Sequence, residues 1–345
     1  MQLAPIPTLP SRLAGRGIDV LPGVLLCALI AAIATVIGAW VPLVGSAIPA
    51  VVIGVLVAMI RKPAARLAPG IGYAGKFVLQ CAVVLLGAQL SLASIIRVGA
   101  ESLPVMLSSL AVCLLGAWVI GRVLGVDRDL RVLLGVGTGI CGASAIAAIS
   151  PVIRAKSADI AYAISTVFLF NILAVLIFPV IGHALGMSPH AFGLFAGTAV
   201  NDTSSVVAAA SVFSASALGF AVVVKLVRTL MIIPISVGLA VLEGRRTGSS
   251  ERLTPARILK LVPWFLIGFL VVATLTSFGA ITETASGILT TVSVFLVATA
   301  LAGIGLSTDL GAIRTAGLKP LLLGGILSLL VAVTTLSVMA ATGAL

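Results

Sequence analysis

Apolar residues run in long stretches along the chain, separated by short segments rich in proline, glycine or basic residues. A helix of about 20 mostly apolar residues is long enough to cross the hydrocarbon core of a bilayer. The pattern therefore predicts an all-α polytopic membrane protein with about 11 transmembrane helices. The predicted spans are residues 19–41, 46–60, 74–96, 103–121, 132–151, 159–182, 190–213, 217–242, 259–279, 285–306 and 319–343.

The composition narrows the class further. Hydrophobic residues make up 60% of the 345 residues and charged residues 9%, against roughly 45–50% and 25% in a soluble domain. A soluble globular protein and a disordered chain are thereby excluded. The net charge of +11 does not indicate nucleic-acid binding, because the basic residues lie in short clusters between apolar runs rather than on one solvated face.

The basic residues are distributed unevenly between alternate segments. With a cytoplasmic N-terminus, only Arg97, Arg154 and Lys156 fall in outer segments, and the other Lys and Arg residues between spans fall in cytoplasmic ones. Cytoplasmic loops carry the excess of Lys and Arg. We therefore expect a bacterial inner-membrane protein with a cytoplasmic N-terminus and a periplasmic C-terminus, whose first span is a retained anchor rather than a cleaved signal peptide.

Two internal similarities suggest repeats. Residues 87–107 resemble 303–323, and the offset crosses an odd number of predicted spans, which is typical of the inverted structural repeats of secondary transporters. Residues 137–148 (GTGICGASAIAA) also resemble 197–208 (GTAVNDTSSVVA). These two copies would be parallel in the predicted topology, so either the second match is convergent or one segment is re-entrant.

Segment 135–144 (GVGTGICGAS) is a poor continuous helix, because it contains four glycines and a threonine. A helix broken at mid-membrane exposes free N–H groups and the positive end of a helix dipole, which together bind anions. The alternative is a packing interface of small residues. The predicted substrate-binding residues here are Thr138, Gly139, Cys141, Gly142 and Ser144.

A second polar cluster lies at the centre of the seventh predicted span. Asp202 is an intramembrane acid and hence a candidate for ion coupling through a proton or Na⁺. The alternative is a polar cluster that only caps a break in the helix. The predicted substrate-binding residues here are Thr198, Asn201, Thr203 and Ser204.

Lys225 and Arg228 lie within the eighth predicted span, three residues apart and so on one helix face. Buried cations need compensation, which could come from Asp202, from helix C-terminal carbonyl groups or from an anionic substrate. Both are therefore predicted as substrate-binding residues. The alternative is a salt bridge between Arg228 and Asp202, with Lys225 snorkelling to the interface. Asn171, another polar residue inside a span, is expected to connect helices.

The sequence gives little support for an enzyme. The glycines of segment 137–142 match a dinucleotide-binding pattern, but that pattern needs a βαβ unit around it. An intramembrane serine nucleophile needs a base within reach, and His183 and His190 map to the membrane edge. The protein is expected not to be an enzyme, with no catalytic residues, metal site or cofactor. The four cysteines are expected to be buried small hydrophobes.

Three segments together resemble a known family: GTGICGASAIAA (137–148), AGTAVNDTSSVVAAA (196–210) and KLVRTLMIIP (225–234). They look like the signatures of the YeiH-type family of bacterial inner-membrane proteins, which are regarded as sulfate exporters. The resemblance implies a distant relation to the cation/proton antiporter and bile-acid transporter superfamily, whose core domain contains crossed discontinuous helices. It likens Asn201-Asp202 to the Asn-Asp or Asp-Asp pair of cation/proton antiporters, and it implies a homodimer.

The leading hypothesis is a single integral transporter domain, 1–345, for small inorganic oxyanions such as sulfate or sulfite. The expected divisions are N-terminal spans at 1–72, a first repeat half at 73–182 and a second at 183–345. Export of a dianion from a negative-inside cell is favoured by about 2.3 kcal/mol per charge per 100 mV. The alternative function is a Na⁺/H⁺-type antiporter that uses Asn201 and Asp202.

Overall fold

The computed structural model describes residues 10–40, 46–61, 63–247, 263–307 and 318–345. Within these ranges the regular structure is helical, with no strand, as the apolar pattern predicts. The α-helices are α1 (Pro10–Trp40), α2 (Ala47–Ile60), α3 (Ala68–Tyr73), α4 (Leu79–Leu86), α5 (Leu92–Val123), α6 (Arg128–Val136), α7 (Ala143–Ile153), α8 (Ser157–Ala184), α9 (Pro189–Ala199), α10 (Thr203–Phe213), α11 (Ala215–Leu230), α12 (Ile232–Thr247), α13 (Trp264–Ser277), α14 (Glu283–Leu306) and α15 (Leu318–Thr342).

In the described part of the chain, seven helical segments are long and apolar enough to cross a membrane. Shorter apolar helices, such as α2 and α13, account for other predicted spans. The predicted spans at 132–151 and 190–213 are wrong, because each is interrupted near its middle and folds back on itself.

The first of these segments is a helical hairpin, residues 128–153, called hairpin 1. Helix α6 continues through a π-helical turn, Gly137–Cys141, and α7 begins directly after Gly142. A Cβ atom on Gly137 would lie 2.8 Å from Cδ1 of Ile146, although nine residues of a continuous helix span about 13 Å. The two arms therefore run back along each other, and the tip is the stretch 137–142.

The second is hairpin 2, residues 189–213, formed by α9 and α10. The rings of Phe192 and Phe213, from opposite ends of the hairpin sequence, stack with centroids 3.9 Å apart. Phe213 also stacks on His183, near the end of α8. The base of hairpin 2 is thus at the C-terminal end of α8, and the tip is the stretch 200–202.

Helix α8 connects the base of hairpin 1 to the base of hairpin 2, so the hairpins extend toward each other from its opposite ends. Both of the similar segments fold back on themselves, so neither is the single continuous helix that the predicted topology assumed. Arg154 and Lys156 follow the returning arm of hairpin 1. They consequently lie at the same end as Arg128, which corrects their predicted placement opposite to it.

The chain packs as two units: a smaller one within residues 1–82 and 290–309, and a larger one within 83–289 and 310–345. In the smaller unit, α2 approaches α14 closely, since a Cβ on Gly54 would lie 2.6 Å from the Ala302 carbonyl oxygen. Both hairpins belong to the larger unit. The division into repeat halves stays a prediction, and the similarity of 87–107 to 303–323 falls partly outside the described residues.

Candidate functional site

The tips of the two hairpins meet. A Cβ atom on Gly142 would lie 3.2 Å from Cβ and 3.4 Å from Cα of Asp202. Gly142 also has a φ of +67°, a conformation that residues with a side chain adopt only with strain. Glycine thus serves both the turn of hairpin 1 and its close approach to hairpin 2. The two predicted clusters, far apart in sequence, are brought together at this junction.

Lys225, on α11, bridges the two tips. Its Nζ donates hydrogen bonds of 2.9 Å to the carbonyl oxygens of Ile140 and Val200. These carbonyl groups end the first arms of the hairpins, where the last turns of a helix have no internal donors and carry partial negative charge. The ammonium group therefore neutralises both arm ends at once.

Among the described residues, Arg228 hydrogen-bonds to hairpin 1 alone. Its Nε donates to the Gly139 carbonyl oxygen at 2.7 Å, and Nη2 lies 3.4 Å from that of Thr138. Lys225 and Arg228 are both 0% exposed. Of the compensating groups considered from sequence, helix C-terminal carbonyls are therefore the ones the structure provides, and Lys225 does not snorkel.

Asp202 caps α10. Its Oδ2 accepts hydrogen bonds from the amides of Ser204, at 3.0 Å, and Ser205, at 3.3 Å, and from the Ser204 hydroxyl. Among the described ion pairs, none joins Asp202 to Lys225 or Arg228. The salt bridge considered as an alternative is therefore not formed, whereas the alternative role as a cap is observed.

The junction has a sealed side and an accessible side. The ends of the first arms, with Thr138, Cys141 and Thr198, are buried. At the starts of the second arms, Ser144 is exposed and residues 202–205 are half-buried. The helix N-termini are therefore the more exposed part of the junction, and the two cations are buried.

The two N-termini differ in one respect. Position 142 of hairpin 1 corresponds to position 202 of hairpin 2 in the paired motifs. Asp202 caps α10 with a carboxylate, whereas the N-cap of α7 is Gly142, which has no side chain, and the Cys141 thiol hydrogen-bonds with the first-turn amide of Ala145. The N-terminus of α7 thus carries no carboxylate in the described structure, and the Ser144 side chain lies exposed beside it.

Asn171, on α8, connects two helical elements as expected, but the sequence analysis did not place it at the junction. Its Oδ1 accepts hydrogen bonds from the backbone amides of Asn201, at 3.1 Å, and Asp202, at 3.4 Å. It therefore provides the hydrogen-bond acceptor for two backbone amides at the break of hairpin 2. A polar residue in an apolar span was visible in the sequence, but its partners are backbone groups, which leave no side-chain signal.

Several buried polar atoms around the junction have no hydrogen-bond partner in the described structure. Buried polar groups are normally paired with protein or water, so water or another small molecule can pair with these groups. The atoms are Asn171 Nδ2, Arg228 Nη1, Thr138 Oγ1, Thr198 Oγ1 and Asn201 Oδ1.

The junction contains more basic than acidic side chains. Two helix C-termini and two helix N-termini meet there, so their partial charges cancel. Lys225 and Arg228 are the basic side chains that contact the tips, and Asp202 is the acidic one. Across the described residues, no group of three or more His, Cys, Asp or Glu side chains could hold a metal ion.

Comparison with known proteins gives a family-level match. The model of the family "Conserved hypothetical protein 698" matches residues 22–324. The UPF0324 membrane protein SAG1125 of Streptococcus agalactiae serotype V is 39% identical over 330 residues, or 94% of this chain and 98% of that protein. The UPF0324 membrane protein FN0533 of Fusobacterium nucleatum is 40% identical over 322 residues, 88% and 92% of the two chains. The match includes both hairpins.

Proposed function

This chain belongs to the membrane-protein family described as conserved hypothetical protein 698, and from this premise we propose that it is a secondary transporter of small inorganic oxyanions. Sulfate and sulfite are the proposed substrates, as in the YeiH-type proteins that its motifs resemble. The observation that carries the proposal is the two-sided junction, at which helix N-termini are accessible and the buried cations neutralise helix C-termini.

The proposed anion site is the N-terminus of α7. Free amides at a helix start bind oxyanions through hydrogen bonds and the helix dipole. The Ser144 hydroxyl supplies a further donor on the accessible side, and Thr203 and Ser204 lie on the facing tip. The equivalent N-terminus of α10 already holds a carboxylate, that of Asp202.

Lys225 and Arg228 act on the substrate through their field in this proposal. Both side chains are engaged with backbone carbonyl oxygens of the tips. Charge on a buried group is weakly screened, so it stabilises an anion at the opposite face of the tips without contact. Asn171, Thr138 and the other unpartnered groups provide polar surroundings for the anion or its water.

Asp202 is the proposed coupling residue. With Asp202 ionised, the side chains at the junction carry a net charge of one, which matches a monoanion. With Asp202 protonated, the net charge is two, which matches a dianion such as sulfate. Uptake of a proton by Asp202 would therefore accompany binding of the dianion.

The opposed hairpins also support an inverted-repeat plan and the predicted orientation. If both hairpins are re-entrant, two predicted spans are lost and the number of crossings stays odd. Arg154 and Lys156 then move to the cytoplasmic side, leaving Arg97 as the outer basic residue of the predicted topology. The distribution of basic residues fits a cytoplasmic N-terminus better with the hairpins than without them.

The test is uptake of radiolabelled sulfate and sulfite into proteoliposomes at imposed voltage and pH gradients. Ser144→Asp adds a fixed anion at the start of α7, where acidic residues suit a helix, and should abolish uptake without unfolding the protein. Ser144→Asn, its neutral isostere, should retain uptake. Wild-type protein that moves neither anion contradicts the proposal. Na⁺ flux that depends on Asp202 would favour the antiporter alternative instead.

A further inference from the structure

Lys225 is the one side chain in the described part of the chain whose charged group hydrogen-bonds to both hairpin tips. We propose that its ammonium group occupies a monovalent-cation site formed by main-chain carbonyl oxygens of the two tips, so that a tethered cation replaces a free one. The acceptors, Ile140 and Val200, stand at corresponding positions of the paired motifs. The ammonium group of Lys225 therefore lies where the two similar hairpin tips meet.

The electrostatics at this point suit a single positive charge. Each helix C-terminus carries about half a negative charge, and two such ends converge on Nζ of Lys225. Backbone carbonyl oxygens are the ligands that hold dehydrated monovalent cations in selective channels. An ammonium ion, a potassium ion or a sodium ion would therefore meet suitable charge and suitable ligands there.

The tips offer more oxygen ligands than the lysine uses. Thr138 Oγ1, Thr198 Oγ1 and Asn201 Oδ1 are buried and have no hydrogen-bond partner in the described structure. Thr138 and Thr198 each precede a carbonyl ligand by two residues, one on each tip. A hard cation prefers several oxygen ligands, so these atoms could complete its coordination once the lysine is removed.

Arg228 does not share this role, because its hydrogen bonds go to hairpin 1 alone. A tethered cation at Lys225 has two consequences. The native junction needs no Na⁺ or K⁺ to hold its tips together. If the proposed transport function holds, on which this second consequence rests, anion flux through the wild-type protein is independent of these ions.

Two variants separate a cation site from a structural lysine. Lys225→Ala vacates the space of the side chain, whereas Lys225→Met fills it with an uncharged chain of similar length. Thermal unfolding of the full-length protein is measured in detergent with sodium, potassium, ammonium or choline chloride. We expect wild type to unfold at one temperature in all four salts and Lys225→Ala to be stabilised saturably by at least one small cation. Lys225→Met should be destabilised in every salt.

Transport provides the second readout. In choline, Lys225→Ala should lose at least about tenfold in anion flux, the scale expected when a buried charge of a binding site is removed. The stabilising cation should restore most of it. Cation-dependent stability of Lys225→Ala without any anion flux in wild type would support the cation site and contradict the proposed function. Anion flux in wild type without a cation effect on Lys225→Ala would support the proposed function and contradict the cation site.

Three results would overturn the cation site. One is an equal response of Lys225→Ala and Lys225→Met to every salt. Another is a sodium or potassium requirement in the wild-type protein. The third is failure to recover folded Lys225→Ala from membranes whether ammonium or choline is present during purification, whereas recovery with ammonium alone supports the site.

Discussion

Gly142 and Asp202 occupy corresponding positions in two similar motifs, and they touch where the hairpin tips meet, with a Cβ on Gly142 only 3.2 Å from that of Asp202. One residue has no side chain and the other carries a carboxylate that caps its own helix. The same kind of helix N-terminus therefore holds a carboxylate in hairpin 2 and none in hairpin 1. This difference between two otherwise similar tips sets the place and the charge of the proposed substrate.

The contact between the tips should be sensitive to a single methyl group. Gly142→Ala places Cβ at 3.2 Å from the Cβ of Asp202 and forces alanine into a φ of +67°. Gly186→Ala is a control for a positive φ, because its φ is +63° and its Cβ would meet nothing within 4 Å, whereas the ψ of −134° at Gly142 adds backbone strain of its own. We expect about 1 kcal/mol of destabilisation for the control, from the backbone alone, and clearly more for Gly142→Ala in thermal unfolding. Equal losses would mean that the tips do not pack as described.

Asn171 should stabilise the break of hairpin 2. Asn171→Leu preserves the approximate size of the side chain but leaves the buried amide of Asn201 without its acceptor. We expect a loss of about 1–3 kcal/mol for that orphaned group, measured by thermal unfolding. Thr166→Val on the same helix is the control, because the Thr166 hydroxyl is buried without a partner among the described residues. If Asn171→Leu is as stable as Thr166→Val, Asn171 does not stabilise the break of hairpin 2.

The hairpin topology predicts the sidedness of the connections. Lys156→Cys, at the base of hairpin 1, should resist a membrane-impermeant maleimide in intact cells and react after permeabilisation. Leu185→Cys, at the exposed turn before hairpin 2, should react in intact cells. The measurement uses a background in which the four native cysteines are replaced by alanine. Two fully spanning segments would give the opposite pattern at both positions.

Asp202→Asn should separate capping from coupling. Asparagine is as good an N-cap as aspartate, so we expect the stability to fall by no more than about 1 kcal/mol. The side chain can no longer take up a proton, so anion flux in proteoliposomes should lose its response to an imposed pH gradient. Asp202→Ala, which also removes the cap, should be less stable than Asp202→Asn. A pH response that survives in Asp202→Asn would remove Asp202 from the coupling role.

The sequence was informative where polarity interrupts an apolar pattern. The glycine-rich segment 135–144 and the Asn201-Asp202 pair indicated breaks in helices, and the structure has breaks at both. Two charges at Lys225 and Arg228 required compensation, and helix C-terminal carbonyls were among the groups considered. The helical class follows from hydropathy alone, because in a bilayer each backbone polar group must be satisfied within the chain.

The sequence could not give the path of the chain at those breaks. A broken helix and a re-entrant hairpin of equal length have the same hydropathy. The hydropathy of 132–151 and 190–213 therefore predicts a span for each segment. The partners of Lys225, Arg228 and Asn171 are backbone groups, which carry no residue-specific signal. Burial at the junction also depends on packing, because Ser144 and Thr138 belong to one motif, yet Ser144 is exposed and Thr138 is buried.

The most direct measurement is an experimental structure with bound selenate, a heavier analogue of sulfate that anomalous scattering can locate. We predict one selenate at the start of α7, within hydrogen-bond distance of the Ser144 hydroxyl and the first-turn amides, with Lys225 still bound to Ile140 and Val200. Selenate in direct contact with Lys225 or Arg228, or absent from the junction at saturating concentration, would contradict the proposed site.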